Sequence, residues 1–195
     1  YYRYVCGIGE EDKLEKEIDQ RHFGNILHAA MEELYRPLIG TLADAAILKT
    51  VSSDMERIRQ VIIEKASSEM HWSKESLLAG KSIIIVDVLT RYIKDVITYD
   101  STLSELALMH LEKQFFNQFD IDTPVGMQKV MVGGIADRVD SVSDTMRIVD
   151  YKTGTPKESK TSLDKMFDET TDSRSDAVLQ TLLYCNALRK EYPER

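Results

Sequence analysis

The hydrophobic pattern changes from helical to strand-like about halfway along this chain of 195 residues, and that change limits the fold more than any other feature. Beyond it, Val, Ile, Phe and Thr are concentrated in the stretches 103–121, 127–141 and 145–152. Turn-prone residues separate these stretches at 122–126 and 141–144. The pattern therefore predicts two consecutive hairpins after an N-terminal helical portion, as in α+β or mixed α/β proteins.

The N-terminal half predicts helices from apolar residues that recur every three or four positions. The first helix covers about 24–36 and ends near Pro37, because proline disfavours helical backbone in the residue before it. A second helix begins near Ser53, where the sequence S-D-M-E matches a capping box. The run from Glu75 to Ile97 predicts a third helix that is long and mostly buried.

The last part of the chain predicts a polar loop followed by one more helix. The loop extends from Thr153 to about Ser175, and the helix covers about 176–190. Four apolar residues of this helix are expected to face the core: Leu179, Leu182, Leu183 and Ala187.

Length and charge limit the domain organisation and the partners. The chain suffices for one α/β domain, and we expect a single domain over residues 1–195. Its first residues contain neither an initiator methionine nor a signal-peptide pattern, so we expect a fragment of a longer protein. The formal net charge of -8 at pH 7 argues against non-specific coating of nucleic acid. An enzyme acting on nucleic acid remains compatible, because acidic metal ligands add to the negative charge.

The composition predicts neither a membrane span nor a cysteine-based metal site. The longest strongly apolar run, 83–86, is far shorter than the roughly 20 residues that cross a bilayer. Cys6 and Cys185 lie near opposite ends without CxxC spacing, so no disulfide framework, zinc site or iron–sulfur site is expected within this chain. Cytoplasmic residence is the expected location.

Two predicted strands carry acidic and basic residues that favour metal chemistry. Because strand side chains alternate, Asp150 and Lys152 are expected on one face, about 6–7 Å apart. The short connection at 141–144 brings Asp137 alongside them. Carboxylates are the ligands that Mg²⁺ and Mn²⁺ prefer, and a nearby lysine can orient or deprotonate a water molecule.

A structural interpretation of the same residues must be weighed against this one. Taken alone, an Asp and a Lys two positions apart on a strand are more often an exposed ion pair than a catalytic site. The apolar residues Ile148 and Val149, however, indicate a buried strand that leads up to Asp150. Buried charges at its end are costly unless they are paired or bind a metal ion.

Five sequence blocks, in order, resemble the PD-(D/E)XK nuclease superfamily and, within it, the RecB-like group with the C-terminal nuclease domains of RecB and AddB. Residues 24–32 resemble the group's G-x-x-x-H-x-x-x-E helix, and residues 134–140 its G-x-x-D-R-x-D strand. Residues 149–154 are similar to its D-Y-K-T-G block and residues 180–184 to its Q-x-x-x-Y helix. A weaker fifth block, 1–8, is similar to its N-terminal aromatic segment.

The resemblance implies a fold and an activity. The expected fold is α/β and restriction-endonuclease-like, with a central mixed sheet that contains an antiparallel meander and is flanked by helices. The expected activity is Mg²⁺- or Mn²⁺-dependent hydrolysis of DNA phosphodiesters by an exonuclease domain that works with a helicase in DNA repair and recombination. Family members with an iron–sulfur cluster use four cysteines, a set that this chain lacks.

The resemblance also assigns metal ligands. It implies that His28, Asp137 and Asp150 bind the metal ion with the help of the Tyr151 carbonyl. Taken alone, a single histidine on a helix is more often a structural residue than a ligand. Glu32 lies one turn beyond His28, where it either orients the imidazole ring or is a surface carboxylate.

Three further residues are implied in catalysis. Lys152 is expected to handle the attacking water, and Gln180 and Tyr184 to support substrate and site. Gln180 and Tyr184 are four residues apart and therefore lie on one helical face. The loop after Lys152 carries several basic residues and is expected to face DNA: Lys157, Lys160, Lys165 and Arg174.

The alternative function is a catalytically inactive nuclease-fold module that binds DNA or scaffolds a helicase partner. Loss of a catalytic residue would indicate that function. Asp137, Asp150 and Lys152 are all present, which favours the active enzyme.

Overall fold

The computed structural model describes residues 18–154 and 176–193. The helices of the first half are α1 Gln20–Tyr35, α2 Ala45–Ser53, α3 Met55–Met70, α4 Lys74–Leu77 and α5 Ser82–Asp100, with a 3₁₀ turn at Arg36–Leu38 after α1. The sheet and the last helix follow as β1 Leu106–Thr123, β2 Gly126–Val142, β3 Thr145–Val149 and α6 Asp176–Glu191. Beyond Gly154, the predicted loop lies outside the described residues.

The helical half differs from the prediction at the helix ends. Helix α1 begins at Gln20, four residues earlier than predicted, because the Asp19 carboxylate caps it by accepting from the His22 amide at 2.8 Å. A capping residue is present near position 53, but it is Asp54, which accepts from the Arg57 amide at 2.9 Å. Asp54 lies directly between α2 and α3.

The single helix predicted from Glu75 to Ile97 was wrong, because the structure divides it into α4 and α5. Gly80 lies in the connection between them with φ of +58°, a left-handed backbone that ends a helix and suits glycine. The second part, α5, is buried along one face through Val86, Leu89, Ile93 and Ile97.

Helices α1, α3 and α5 pack together and form the larger of two hydrophobic cores. Its most buried side chains include Ile26, Met31, Ile58, Ile62, Leu89 and Ile93. Leu106 and Leu108 at the start of β1 belong to the same core, so the helical half and the sheet share one interior. No helix among the described residues is long and apolar enough to cross a membrane.

The sheet has the order β1-β2-β3, and both neighbouring pairs are antiparallel. This confirms the predicted meander of two consecutive hairpins. Strand β3 pairs only with Arg138–Val142, so the rest of the β1–β2 hairpin is a two-stranded ribbon. The sheet was predicted to be mixed; within the described ranges it is antiparallel throughout.

At Glu112 the side chains of β1 change the side of the sheet to which they point. Leu111 packs against the helical core, whereas Lys113 forms an ion pair with Glu191 of α6, on the other side of the sheet. In a regular strand, residues two apart share a face. Glu112 breaks this rule because its φ of +47° is left-handed, which is rare and strained outside glycine.

The opposite strand makes the same exchange at Asp137. Ala136 packs against α6, and Arg138 lies over the ring of Tyr35 on the helical side. The register places Glu112 opposite Asp137, since the residues on either side of one pair with those on either side of the other. The point at which both strands exchange faces is therefore a pair of carboxylates.

Helix α6 covers the outer side of the sheet and closes a second, smaller core. Its buried residues there are Tyr184, Ala187 and Leu188. The prediction was right for Ala187 but wrong for Leu182, whose side chain is exposed. The buried face follows the four-residue spacing of Tyr184 and Leu188, and Leu182 lies off that face.

Candidate active site

His28 extends from α1 toward the point where the sheet faces exchange. Its Nδ1 atom lies 3.3 Å from Oδ1 of Asp137, and its Nε2 atom lies 2.8 Å from the carbonyl oxygen of Tyr151. A carbonyl oxygen only accepts, so Nε2 carries the hydrogen of this bond. The structure therefore brings together three of the predicted metal-binding residues.

The two oxygens of Asp137 have different partners. Oδ1 faces the His28 ring, and Oδ2 accepts a hydrogen bond of 2.6 Å from the Tyr151 amide. This bond explains why β3 ends at Val149, short of the predicted end at 152: the Tyr151 amide turns to the Asp137 side chain. The chain after β3 is thereby fixed to β2 by a side chain.

Glu112 is the site residue that the sequence analysis missed. His28, Glu112 and Asp137 each offer a ligand atom, and these atoms lie within 4.8 Å of one another. Counting back from the two-residue turn that joins Thr123 to Gly126 places Glu112 opposite Asp137. The hairpin register was thus the available signal.

The grouping of these residues changes the pKa values of two of them. The hydrogen bond and charge of Asp137 raise the pKa of His28 above its ordinary value, although partial burial opposes the change. Burial raises the pKa of Glu112, and the Asp137 carboxylate adds to that effect by repulsion. Without a cation, the site therefore favours a protonated His28 and disfavours a charged Glu112.

Asp150 and Lys152 form an ion pair next to this group. The Lys152 Nζ atom lies 2.7 Å and 2.9 Å from the two Asp150 carboxylate oxygens. Asp150 is not part of the group of three ligand atoms found in the described ranges. Lys152 also donates to Oε1 of Gln180 at 3.3 Å, so this lysine connects the end of β3 with α6.

Gln180 and Tyr184, both on α6, hold Lys152 on the side opposite Asp150. Gln180 Nε2 donates to Tyr184 Oη at 2.8 Å, and Tyr184 Oη donates to the Ile135 carbonyl at 2.7 Å. A Cβ atom on Gly134 would lie 2.6 Å from the Tyr184 ring, so glycine is required for this approach. The predicted pairing of Gln180 and Tyr184 on one helical face is confirmed.

Glu32 and the other histidines lie outside this arrangement. Glu32 forms a 2.8 Å ion pair with Arg36 on the surface of α1, which fits the surface interpretation. His22 is bonded to Asp19, and His110 lies 2.8 Å from the Tyr192 hydroxyl.

One imidazole and two carboxylates offer ligand atoms within 4.8 Å of one another, which makes this group a candidate site for a divalent metal ion. The chain belongs to the PD-(D/E)XK nuclease superfamily, whose family model matches residues 1–195. Members of this superfamily are nucleases that generally use divalent metal ions. No curated protein and no solved structure matches the chain significantly.

We expect Glu112→Gln to raise the melting temperature of the metal-free protein at pH 7.5. A carboxyl whose pKa is raised by folding destabilises the protein once pH exceeds that pKa, and glutamine removes the charge. Solvent screening limits the gain to at most about 1 kcal/mol, or about 2–4 °C in a protein of this size. A thermal melt measures it.

The same variant should lose part of the upward shift that Mn²⁺ produces, since one ligand is gone. Asp95→Asn, which changes an exposed carboxylate on α5, is the matched control and should change neither quantity. If Mn²⁺ raises the melting temperature of Glu112→Gln as much as that of the unsubstituted protein, Glu112 is not a metal ligand.

We expect the apparent affinity for Mn²⁺ to fall as pH decreases, beginning above pH 6.5. Metal binding requires a neutral imidazole, and Asp137 raises the pKa of His28 above the ordinary 6.5, so protons compete with the metal ion. Below that pKa the loss is about tenfold per pH unit for one displaced proton. Titrations with Mn²⁺ between pH 5.5 and 8.5 measure this dependence.

His28→Asn should flatten the pH dependence over this range. His71→Asn is the control, because His71 is exposed and has φ of +53°, which asparagine tolerates. An identical pH profile in His28→Asn and the unsubstituted protein would contradict metal binding by His28.

Proposed function

We propose that this chain is a Mg²⁺- or Mn²⁺-dependent deoxyribonuclease, and that it acts as an exonuclease domain beside a helicase in DNA repair and recombination. The observation that carries the nuclease activity is the grouping of ligand atoms from His28, Glu112 and Asp137 within 4.8 Å, with the Tyr151 carbonyl bonded to His28. The resemblance of the five sequence blocks to the nuclease domains of RecB and AddB supports the exonuclease role and the helicase partner.

The donor set supports a hard divalent cation. Two carboxylates and a backbone carbonyl supply oxygen, which suits Mg²⁺, and the imidazole of His28 also suits Mn²⁺. Burial, and after it the charge of Asp137, raises the pKa of Glu112, and a cation at this point would stabilise the charged carboxylate. When bound, such an ion polarises the phosphate and lowers the pKa of a water ligand.

In this proposal the metal ion is bound by His28, Glu112, Asp137 and the Tyr151 carbonyl. Asp150 belongs to the proposed ligand set from the end of β3, where its carboxylate is paired with Lys152. The hydrogen bond from the Tyr151 amide to Asp137 keeps one carboxylate oxygen oriented while the other faces the site.

Lys152 is the proposed water-handling group. Its ammonium is held between Asp150 and Gln180, so the direction of its remaining N–H bond is restricted. It is positioned to donate to the attacking water or to a phosphate oxygen and to stabilise the charge that develops there. Gln180 and Tyr184 act through Lys152 as positioning residues.

We expect Asp150→Ala and Lys152→Ala each to abolish metal-dependent DNA cleavage, with losses of at least about 100-fold in rate. The reasons differ, because one removes a proposed ligand and the other the group that handles water. Lys152→Ala should therefore retain Mn²⁺ binding, whereas Asp150→Ala should weaken it. Cleavage assays, circular dichroism and Mn²⁺ titrations separate these effects.

Lys94→Ala, an exposed lysine on α5, is the control and should cleave normally. Cleavage at the unsubstituted rate by either Asp150→Ala or Lys152→Ala would reject the assignment. An unsubstituted protein that binds Mn²⁺ and DNA but cleaves nothing would instead support the inactive DNA-binding or scaffolding module.

The exonuclease proposal has its own test. An enzyme that works from ends should degrade linear DNA with Mg²⁺ or Mn²⁺ and leave covalently closed circular DNA intact, single- or double-stranded. Gel assays of matched linear and circular substrates measure this preference. Equal cleavage of both forms would replace the exonuclease role with an endonuclease while leaving the metal site unchanged.

A further inference from the structure

Arg138, the neighbour of Asp137 on β2, is one of the most deeply buried large side chains of the protein. A buried guanidinium is tolerated only when its charge is paired. Arg138 donates to both carboxylate oxygens of Asp100, with Nη1–Oδ2 at 2.7 Å and Nη2–Oδ1 at 3.2 Å. Asp100 is the last residue of α5, so this pair joins the helical half to the sheet.

The surrounding charges form a closed cluster. Asp140 lies 2.9 Å from Arg138 Nε and accepts two hydrogen bonds from Arg147, at 2.7 Å and 3.0 Å. Tyr35 donates to Asp100 Oδ2 at 2.5 Å. Burial and the Asp100 carboxylate raise the pKa of Tyr35, so its hydroxyl stays protonated and remains a donor.

The guanidinium of Arg138 also contacts two aromatic rings. Its central carbon lies 4.7 Å from the ring centre of Tyr35 and 5.9 Å from that of Tyr151. The Tyr151 ring in turn meets the His28 ring edge to face at 5.9 Å. Tyr151 therefore lies between the buried cluster and the proposed metal site.

The backbone of Tyr151 takes part in that site in two ways. Its carbonyl accepts from His28, and its amide donates to Asp137. A shift of the Tyr151 backbone would move both groups, and the packing of its ring against the helical core holds that backbone in place. The contact with Arg138 restricts such a shift.

We propose that Arg138 is a positioning residue for the metal site. Through its contact with the Tyr151 ring, it holds in place the Tyr151 carbonyl that bonds to His28 and the Tyr151 amide that bonds to Asp137. The affinity of the site for metal depends on this position. This inference rests on the proposed function. Lysine cannot replace arginine here, because it lacks the planar group that pairs bidentately and stacks on rings. Replacing Arg138 by lysine should therefore lower the metal affinity, and a higher metal concentration should restore occupancy of the site.

Arg147 supplies the matched control. It pairs bidentately with Asp140 in the same cluster, but no cation–π contact of Arg147 occurs in the described part of the chain. Arg138→Lys and Arg147→Lys therefore both weaken the cluster, and only the first disturbs Tyr151. A stability effect alone would appear in both variants.

The test measures Mn²⁺ binding to the full chain by electron paramagnetic resonance of the free ion, with circular dichroism as the fold check. Arg138→Lys should weaken Mn²⁺ binding by about 10-fold, as is typical of changes to residues that orient metal ligands. Arg147→Lys should weaken Mn²⁺ binding by less than about twofold. DNA cleavage by Arg138→Lys should recover at saturating Mn²⁺. Unchanged Mn²⁺ affinity in Arg138→Lys, or an equal loss in Arg147→Lys, would overturn the inference.

Asp137→Asn separates this inference from the proposed function. If Asp137→Asn binds Mn²⁺ as tightly as the unsubstituted protein, the metal site itself is wrong and the inference falls with it. If Arg138→Lys fails to fold, Tyr151→Leu replaces it, because leucine removes the ring and keeps the backbone groups. Weaker Mn²⁺ binding by Tyr151→Leu supports the inference, and unchanged binding overturns it.

Discussion

The pair between Arg138 and Asp100 is the interaction on which the arrangement of the two halves depends. Two opposite charges lie where water does not reach, at the contact between the last residue of α5 and the C-terminal part of β2. Leaving either one unpaired would cost several kcal/mol. The helices can therefore pack on the sheet only in the position that brings these two groups together, and that position also sets His28 of α1 opposite Asp137.

The candidate site lies where regular sheet geometry fails. Glu112 has a left-handed backbone, and the faces of both strands exchange neighbours at Glu112 and Asp137. Such conformations cost about 1–3 kcal/mol each and persist only where the surroundings enforce them. Here the helical core holds one side of the hairpin and α6 the other. The strain and the repulsion between carboxylates thus occur at the same point, where the proposed cation would bind.

The side chains proposed to act in catalysis are held by elements other than their own. Lys152 is restrained by Gln180 of α6, and Gln180 by Tyr184, whose hydroxyl reaches the Ile135 carbonyl of β2. Tyr184 is also part of the smaller hydrophobic core, so packing and site geometry share one residue. Gly134 makes this possible, because any side chain there would occupy the space of the Tyr184 ring. The glycine of the G-x-x-D block therefore has a steric role in the site.

The sequence by itself determined the change from helices to strands, the two hairpins and the residue types of the candidate metal site. These features depend on local periodicity and on residues close together in the chain, so they are readable without a fold. Local signals also limited the prediction: position 54 rather than 53 caps α3, and Leu182 is exposed although its spacing suggested the core. Such details depend on which helical phase meets a neighbour.

Only the tertiary structure decided that Glu112 joins His28 and Asp137. Glu112 is distant in sequence from both His28 and Asp137, and its role depends on hairpin register and on a left-handed backbone that no local pattern encodes. Likewise, the burial of Arg138 between two tyrosines follows from the packing of α1 and α5 on the sheet. Long-range pairing fixes these contacts, because a buried charge is tolerated only in the few arrangements that bring an opposite charge to it.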